Sequence, residues 1–217
     1  RWADDVGLTV DVVETGDYCR HGATYVRNLQ AMARRHITRP FRFVCLTDNP
    51  ERHPGIDSIV VPDRIRGWWA KIALLKPGMF PAGERIVYFD LDTLILANID
   101  DLAAYDGPFA GLGCFRAHRV FASGLMAWEA GSADFIWTEW ERRGYPLMGG
   151  ADDVWIDHVA PNAVRIQRRL PAGTIVSYKY HRCQNGPPAD ARVVCFTRQP
   201  KAHNCGAPWG AEHWTED

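Results

Sequence analysis

Short apolar runs cut by polar turns set the rhythm of this 217-residue chain. Thr9–Glu14 (TVDVVE) alternates and is β-branched, which predicts a first strand. A polar stretch, Thr15–Gly22, follows it. From Ala23 to Arg35 the apolar residues Val26, Leu29, Met32 and Ala33 recur at helical spacing. Phe41–Thr47 reads as a second strand ending in the turn signal Asp48-Asn49-Pro50, and Ile56–Val61 as a third. Trp68, Ile72 and Leu75 lie at i, i+4 and i+7, so Gly67–Lys76 is predicted to be an amphipathic helix. Ile86–Phe89 is an unbroken apolar run that stops at Asp90, passes Leu91 and meets Asp92. Such a run suits a strand covered on both faces, as in a parallel sheet. Thr93–Leu96 is apolar again, and Asn98–Leu102 has the composition of a capped helical turn.

Phe109–Phe115 and Phe121–Trp128 predict two further strands, the second carrying the small residues Ala122-Ser123-Gly124. Phe135, Ile136 and Trp140 mark a helix ending by Gly144, and Gly149-Gly150-Ala151-Asp152-Asp153 leads into the apolar Val154-Trp155-Ile156. Thr174–Tyr180 and Arg192–Phe196 are the last apolar segments. Beyond them the tail is rich in Pro, His, Lys and Trp, a composition that predicts neither a regular helix nor an inner strand. Trp209 and Trp214 need cover, which favours a docked tail over a free one. The first sixty residues read β-α-β-β, which predicts an α/β fold.

Composition narrows the chemistry. Apolar residues make up 47% of the chain, enough for a large core, and the net charge is −1. No global field calls for nucleic acid or an anionic membrane, so an anionic ligand must be met by local groups or a metal. Six scattered cysteines, with no C-x-x-C pair, match neither a zinc site nor a disulfide framework and predict a reducing cytoplasm. The sequence predicts no secretory leader and no membrane-spanning stretch. In extended geometry Asp90 and Asp92 point the same way, at the strand end where open α/β sheets bind ligands. Two such carboxylates suit a magnesium or manganese ion carrying a diphosphate. Alternatively, they are solvated acids in a turn, and Lys71 is a solvated surface lysine. Of the eight histidines only His203 has a case as a ligand.

The order of motifs resembles a GT-A glycosyltransferase of the glycogenin-like family 8 and its bacterial relatives. It rests on Trp68-Trp69-Ala70-Lys71, Asp90-Leu91-Asp92, Phe121-Ala122-Ser123-Gly124, Gly150-Ala151-Asp152-Asp153 and the stretch Phe196–His203. The resemblance spans nearly the whole length and implies an α/β GT-A fold with a mixed, mostly parallel central sheet flanked by helices. It implies one domain over residues 1–217, with a nucleotide-binding half to about residue 100 and a sugar and acceptor half beyond it, closed by the C-terminal segment. It also implies metal-dependent transfer of a hexose from a nucleotide-diphosphate sugar, a UDP-sugar foremost, to a glycan or lipid-linked acceptor. Retention at the anomeric carbon, polysaccharide biosynthesis and a place at the cytoplasmic membrane periphery go with it.

By that resemblance Asp90 and Asp92 coordinate the divalent ion (manganese or magnesium), and Asp90 also reaches the ribose. Tyr18 and Asp48 match base-contacting regions. Lys71 meets the donor's phosphate or sugar, Ser123 and Gly124 lie along the sugar, Asp152 and Asp153 face its hydroxyls or anomeric carbon, and Lys201 neutralises the leaving diphosphate. The chain departs from the pattern at Thr197, which takes the usual place of a third metal ligand while His203 lies six residues on. Ala122 replaces an asparagine, and Asp153 replaces a glutamine. Three other readings compete: a haloacid dehalogenase-type phosphatase suggested by FDLDTL, a sugar nucleotidyltransferase, and a non-catalytic nucleotide-sugar or glycan-binding module.

Overall fold

The computed structural model describes residues 7–62, 65 and 67–216. Its main sheet has seven strands: β1 (Leu8–Glu14), β2 (Arg42–Thr47), β3 (Asp57–Val60), β4 (Arg85–Phe89), β6 (Ala110–Cys114), β7 (Ala117–Glu129) and β8 (Val164–Arg165). They run in the order β3-β2-β1-β4-β7-β6-β8. The first four are mutually parallel, β7 is antiparallel to β4 and β6, and β6 is parallel to β8. A smaller sheet joins β5 (Thr93–Ile95), β10 (Val193–Cys195) and β9 (Ile175–Ser177) in that order. The α/β fold predicted from the element order, with the mixed sheet that the resemblance implies, is therefore present.

Strand pleat divides the core. Val10 and Val12 of β1, with Val87 and Phe89 of β4, pack with Tyr25, Val26, Leu29 and Met32 of helix α1 (Gly22–His36). Ile86 and Tyr88 point to the other layer, which holds helix α3 (Asp134–Arg142), helix α4 (Asp152–Val159) and the segment 67–75. Both faces of β4 are thus covered, as its unbroken apolar run demands. A one-turn helix α2 (Asp100–Ala103) follows β5.

Two expectations need correction. Gly67–Leu75 is a 3₁₀ helix, not an α-helix, and it is buried from Trp69 to Leu75. Trp68, read as the first core residue of an apolar stripe, is 65% exposed. The tighter turn changes which residues share a face, so an i, i+4, i+7 stripe no longer faces one way. The tail, expected to hold no helix, forms α5 (Pro208–His213) with Pro208 at its first position, where a missing N–H costs nothing. It docks as its tryptophans require. Asn28 donates to the Trp214 carbonyl at 3.1 Å, Arg27 pairs with Glu216 at 2.8 Å, and Trp209 Nε1 donates to the Cys183 carbonyl at 2.8 Å.

Asp11 is the odd residue in β1. It is fully buried beside Val44 and Tyr88, and neither carboxylate oxygen has a hydrogen-bond partner among the described residues. Burial pushes its pKa well above the usual carboxylate range, against a smaller opposing pull from Arg42. The native state thus holds a proton that the unfolded chain releases near pH 4. The stability it contributes is complete below that pH and is lost, at about 1.4 kcal/mol per pH unit, as pH rises towards the folded value. Asp11→Asn cannot lose it. Urea midpoints at pH 5 and pH 8 should show the variant gaining on the wild type at the higher pH; equal shifts would refute a protonated Asp11.

Candidate active site at the end of strand β4

The backbone of Asp90–Asp92 is fixed from two sides. Asp90 N–H donates to the Gly124 carbonyl in β7 at 2.8 Å, and Phe196 N–H, just past β10, donates to the Asp92 carbonyl at 3.0 Å. Leu91 turns into the core, which leaves the two carboxylates on the cleft side. The side chain of Asp90 is 32% exposed and that of Asp92 only 9%.

Two lysines meet this pair. Lys71 is buried on the 3₁₀ segment; its ammonium lies 2.9 Å from Asp90 Oδ1, 3.0 Å from Ser123 Oγ and 3.6 Å from Asp152 Oδ2. Burial opposes the charge on Lys71, but Asp90 and Asp152 outweigh it and hold its pKa above the ordinary lysine value. The alternative of a solvated surface lysine does not survive. Lys201 reaches back from the tail to ion-pair with Asp92 Oδ2, which also accepts from the Tyr18 hydroxyl at 3.2 Å. Tyr88 donates to Asp90 Oδ1 at 2.5 Å. A Cβ on Gly124 would stand 3.3 Å from Asp90 Oδ2, so the small residue lets β7 approach the carboxylate closely.

Asp152 opens α4 and is almost wholly buried; Oδ2 accepts no hydrogen bond from the described residues. Burial raises its pKa, and Lys71 and Ser123 pull it back in part. Asp153 is half-buried beside it. Tyr18, Lys71, Asp90, Asp92, Ser123, Gly124, Asp152 and Lys201 are therefore gathered at one place, although they come from segments far apart in sequence.

Asp48 and His203 sit at the margins. Asp48 accepts from Gly16 N–H at 2.9 Å and pairs with Arg52, which ties the end of β2 to the loop after β1. His203 Nδ1 bonds to the Tyr25 hydroxyl at 2.6 Å, within a ring cluster that includes His21 and Trp214. Among the described residues no set of three His, Cys, Asp or Glu converges as a ready-made metal site. Thr197 is exposed, whereas Cys195 is buried at the end of β10, where burial and the fields of Asp92 and Asp90 push its thiol pKa up.

A divalent cation nevertheless fits the donor set. Asp90, Asp92 and Asp152 set three carboxylates against two ammonium groups, and burial together with Asp90 raises the pKa of Asp92. Excess negative charge held out of water calls for a further cation. The hydrogen bonds from Tyr88, Tyr18 and Lys201 fall on one oxygen of Asp90 and one of Asp92, so the other oxygens would suit a hard metal ion.

Glu14 and Tyr88 carry roles that went unread in the sequence. Tyr88 shares a pleat face with Asp90 because the two are i and i+2, a signal the apolar run concealed. Glu14 is fully buried at the end of β1. It accepts from Tyr18 N–H at 3.0 Å, accepts from Thr47 at 3.2 Å, and pairs with His53 at 3.0 Å and Arg52 at 3.3 Å. These contacts hold a loop in which Gly16, Asp17, Cys19 and Arg20 all have positive φ, a conformation that ordinary side chains resist. Gly22 packs on Glu14 so closely that a Cβ there would lie 2.3 Å from Oε1. Gly22→Ala should therefore cost about 1–3 kcal/mol in thermal or urea unfolding. An unchanged midpoint would show that Glu14 is free to move.

No protein-family model matches the chain, and no curated protein matches it in sequence. Solved structures do. The galactosyltransferase LgtC, solved with donor and acceptor sugar analogues, superposes with a TM-score of 0.63 at 15% identity, covering 96% of this chain and 94% of that one. The glycosyltransferase GlyE of Streptococcus pneumoniae TIGR4 gives 0.65 at 14% identity over 98% of this chain, which spans 61% of GlyE. The bifunctional glycosyltransferase WbbM gives 0.61 at 14%, with 98% of this chain and 52% of that one covered. The chain has the GT-A glycosyltransferase fold.

Proposed function

We propose that this protein is a metal-dependent glycosyltransferase that moves a hexose from a nucleotide-diphosphate sugar, a UDP-sugar foremost, to a hydroxyl of a glycan or lipid-linked acceptor. The observation that carries the reading is the convergence of Lys71, Lys201, Asp90, Asp92, Ser123 and Asp152 at the carboxyl end of β4. Open α/β sheets bind ligands at that edge.

The reaction breaks the bond between the anomeric carbon and the diphosphate oxygen and forms one to the acceptor oxygen, whose proton must leave. Negative charge builds on the diphosphate, and Lys71 and Lys201 are the chain's own cations for it. A divalent cation, when bound, supplies Lewis-acid neutralisation there, and Asp90 and Asp92 would hold it. Asp152, or Asp153 beside it, is suited to take the acceptor's proton or to stabilise positive charge on the anomeric carbon. Burial raises the pKa of Asp152, which suits its carboxylate to accepting a proton. Tyr18 and Asp48 flank the end of β1, where the base is assigned, and Ser123 and Gly124 line the sugar's side.

A panel of nucleotide-sugars with manganese or magnesium tests this without an acceptor. The expected result is metal-stimulated release of nucleotide diphosphate from one donor, with NMR of the freed sugar reporting the retained anomeric configuration. Tight donor binding without turnover would favour the non-catalytic binding module. Neither binding nor hydrolysis across the panel would refute the proposal.

A further inference from the structure

Trp68 stands outside the core and outside the chemistry of the cleft. Its indole is 65% exposed, and among the large apolar side chains of the described residues only Leu147, at 66%, is more so. Buried neighbours hold both in place. Trp69 stacks on Trp140, with ring centroids 5.6 Å apart and planes 9° from parallel. Trp140 Nε1 donates to the Pro146 carbonyl at 3.0 Å, so the loop bearing Leu147 is pinned to the same stack.

Topology sets both residues at the mouth of the cleft. Strands β3 and β4 are parallel through β2 and β1, so the chain leaves β3 at the carboxyl edge and must return to the amino edge before β4. Segment 67–75 makes that return, and Trp68 lies near its start, on the outer side of Lys71. In a 3₁₀ helix side chains three apart eclipse, at a rise of about 6 Å per turn. Trp68 is therefore one turn above Lys71, whose ammonium is 2.9 Å from Asp90 and 3.6 Å from Asp152. Strand β7 ends with Glu129 against Arg85, at the amino edge, so α3 begins there and runs back. The loop after α3 emerges at the carboxyl edge, carries Leu147 and leads through Met148–Gly150 to Asp152 and the half-buried Asp153.

A pyranose ring has a C–H face rimmed by hydroxyls. An uncovered indole suits the face, and carboxylates suit the hydroxyls. One 3₁₀ turn, the step from Lys71 to Trp68, is close to the length of such a ring. Asp152 Oδ2 lies at the lower end of that step and accepts no hydrogen bond from the described residues. An acyl chain on the indole would instead desolvate these acids without pairing them.

We propose that Trp68 is the platform of an acceptor subsite, stacking on the ring of the sugar that receives the transferred hexose, with Leu147 as a second apolar contact. Trp68 thereby selects a carbohydrate with an open C–H face over a bare lipid or peptide hydroxyl. The inference rests on the transferase reading, which puts the donor sugar beside Asp152. Saturation-transfer NMR tests it with UDP and magnesium present. The probes are the methyl glycosides of glucose, galactose, mannose and N-acetylglucosamine, with lactose, maltose and, as an apolar alcohol, 1-octanol. At least one sugar should receive saturation at its ring C–H protons. Trp68→Ala should weaken its binding by about tenfold or more, the usual scale for truncating a tryptophan anchor. Trp68→Phe, which keeps an aromatic face, should recover part of that loss. Phe135→Ala, an exposed aromatic at the far edge of the sheet, should leave binding intact. Circular dichroism checks that each variant is folded.

The proposal is overturned if Trp68→Ala binds the sugar as the wild type does, if Trp68→Phe is no better than Trp68→Ala, or if Phe135→Ala weakens binding equally. Saturation of 1-octanol in place of the sugars would make the lip a lipid contact and also overturn it. Donor hydrolysis by the wild type separates the two readings. Turnover with no sugar signal would sink the subsite alone, whereas neither turnover nor signal would sink the transferase reading with it.

Discussion

Lys71→Met is expected to abolish sugar-donor turnover and to cost about 3–5 kcal/mol of stability, the range for removing one partner of a buried ion pair. The methionine keeps the length and most of the apolar stem of the lysine. What it loses is the ammonium between Asp90, Asp152 and Ser123. Asp152 is almost wholly buried, with its Oδ2 already short of hydrogen bonds, and among the described residues its ion-pair partner is Lys71. The two losses separate in a double variant. Adding Asp152→Asn removes the stranded carboxylate and should restore much of the stability, while leaving activity absent. Urea unfolding with donor hydrolysis on all four members of that cycle reads both effects. Full activity in a folded Lys71→Met protein would show that the ammonium serves packing alone.

Asp92→Asn should reduce metal-stimulated donor hydrolysis by at least about 100-fold with the fold intact, a loss typical of removing one group that meets developing charge. Asn keeps the shape and can still accept from Tyr18 and Lys201, so the change is one of charge. The stability effect should be small, because burial and Asp90 already oppose ionisation at this position and Lys201 only partly offsets them. Near-normal hydrolysis in this variant would remove Asp92 from the chemistry.

Much of this arrangement was legible in the sequence. The apolar run Ile86–Phe89 could be covered on both faces only in a central strand, and its abrupt end at Asp90 marked the carboxyl end of that strand. The small residue Gly124 sits where β7 approaches Asp90 closely. Periodicity failed where local geometry departed from the two common periods. The segment 67–75 looked amphipathic at 3.6 residues per turn, yet as a 3₁₀ helix it buries Lys71 and exposes Trp68. Charged groups that tertiary structure takes inside were also beyond reach. Glu14 looked like the polar end of a strand, and nothing local foretold that it would organise the Tyr18 loop through a backbone N–H. Lys201 is 109 residues from Asp92, a separation at which only the folded tail makes the pair.

The most direct test is anomalous diffraction from crystals grown with manganese and UDP. The expected map has a manganese peak against the carboxylates of Asp90 and Asp92, with the diphosphate beside Lys71 or Lys201. A manganese peak elsewhere, or UDP bound away from the end of β4, would contradict the assignment of this cleft to a nucleotide-diphosphate sugar.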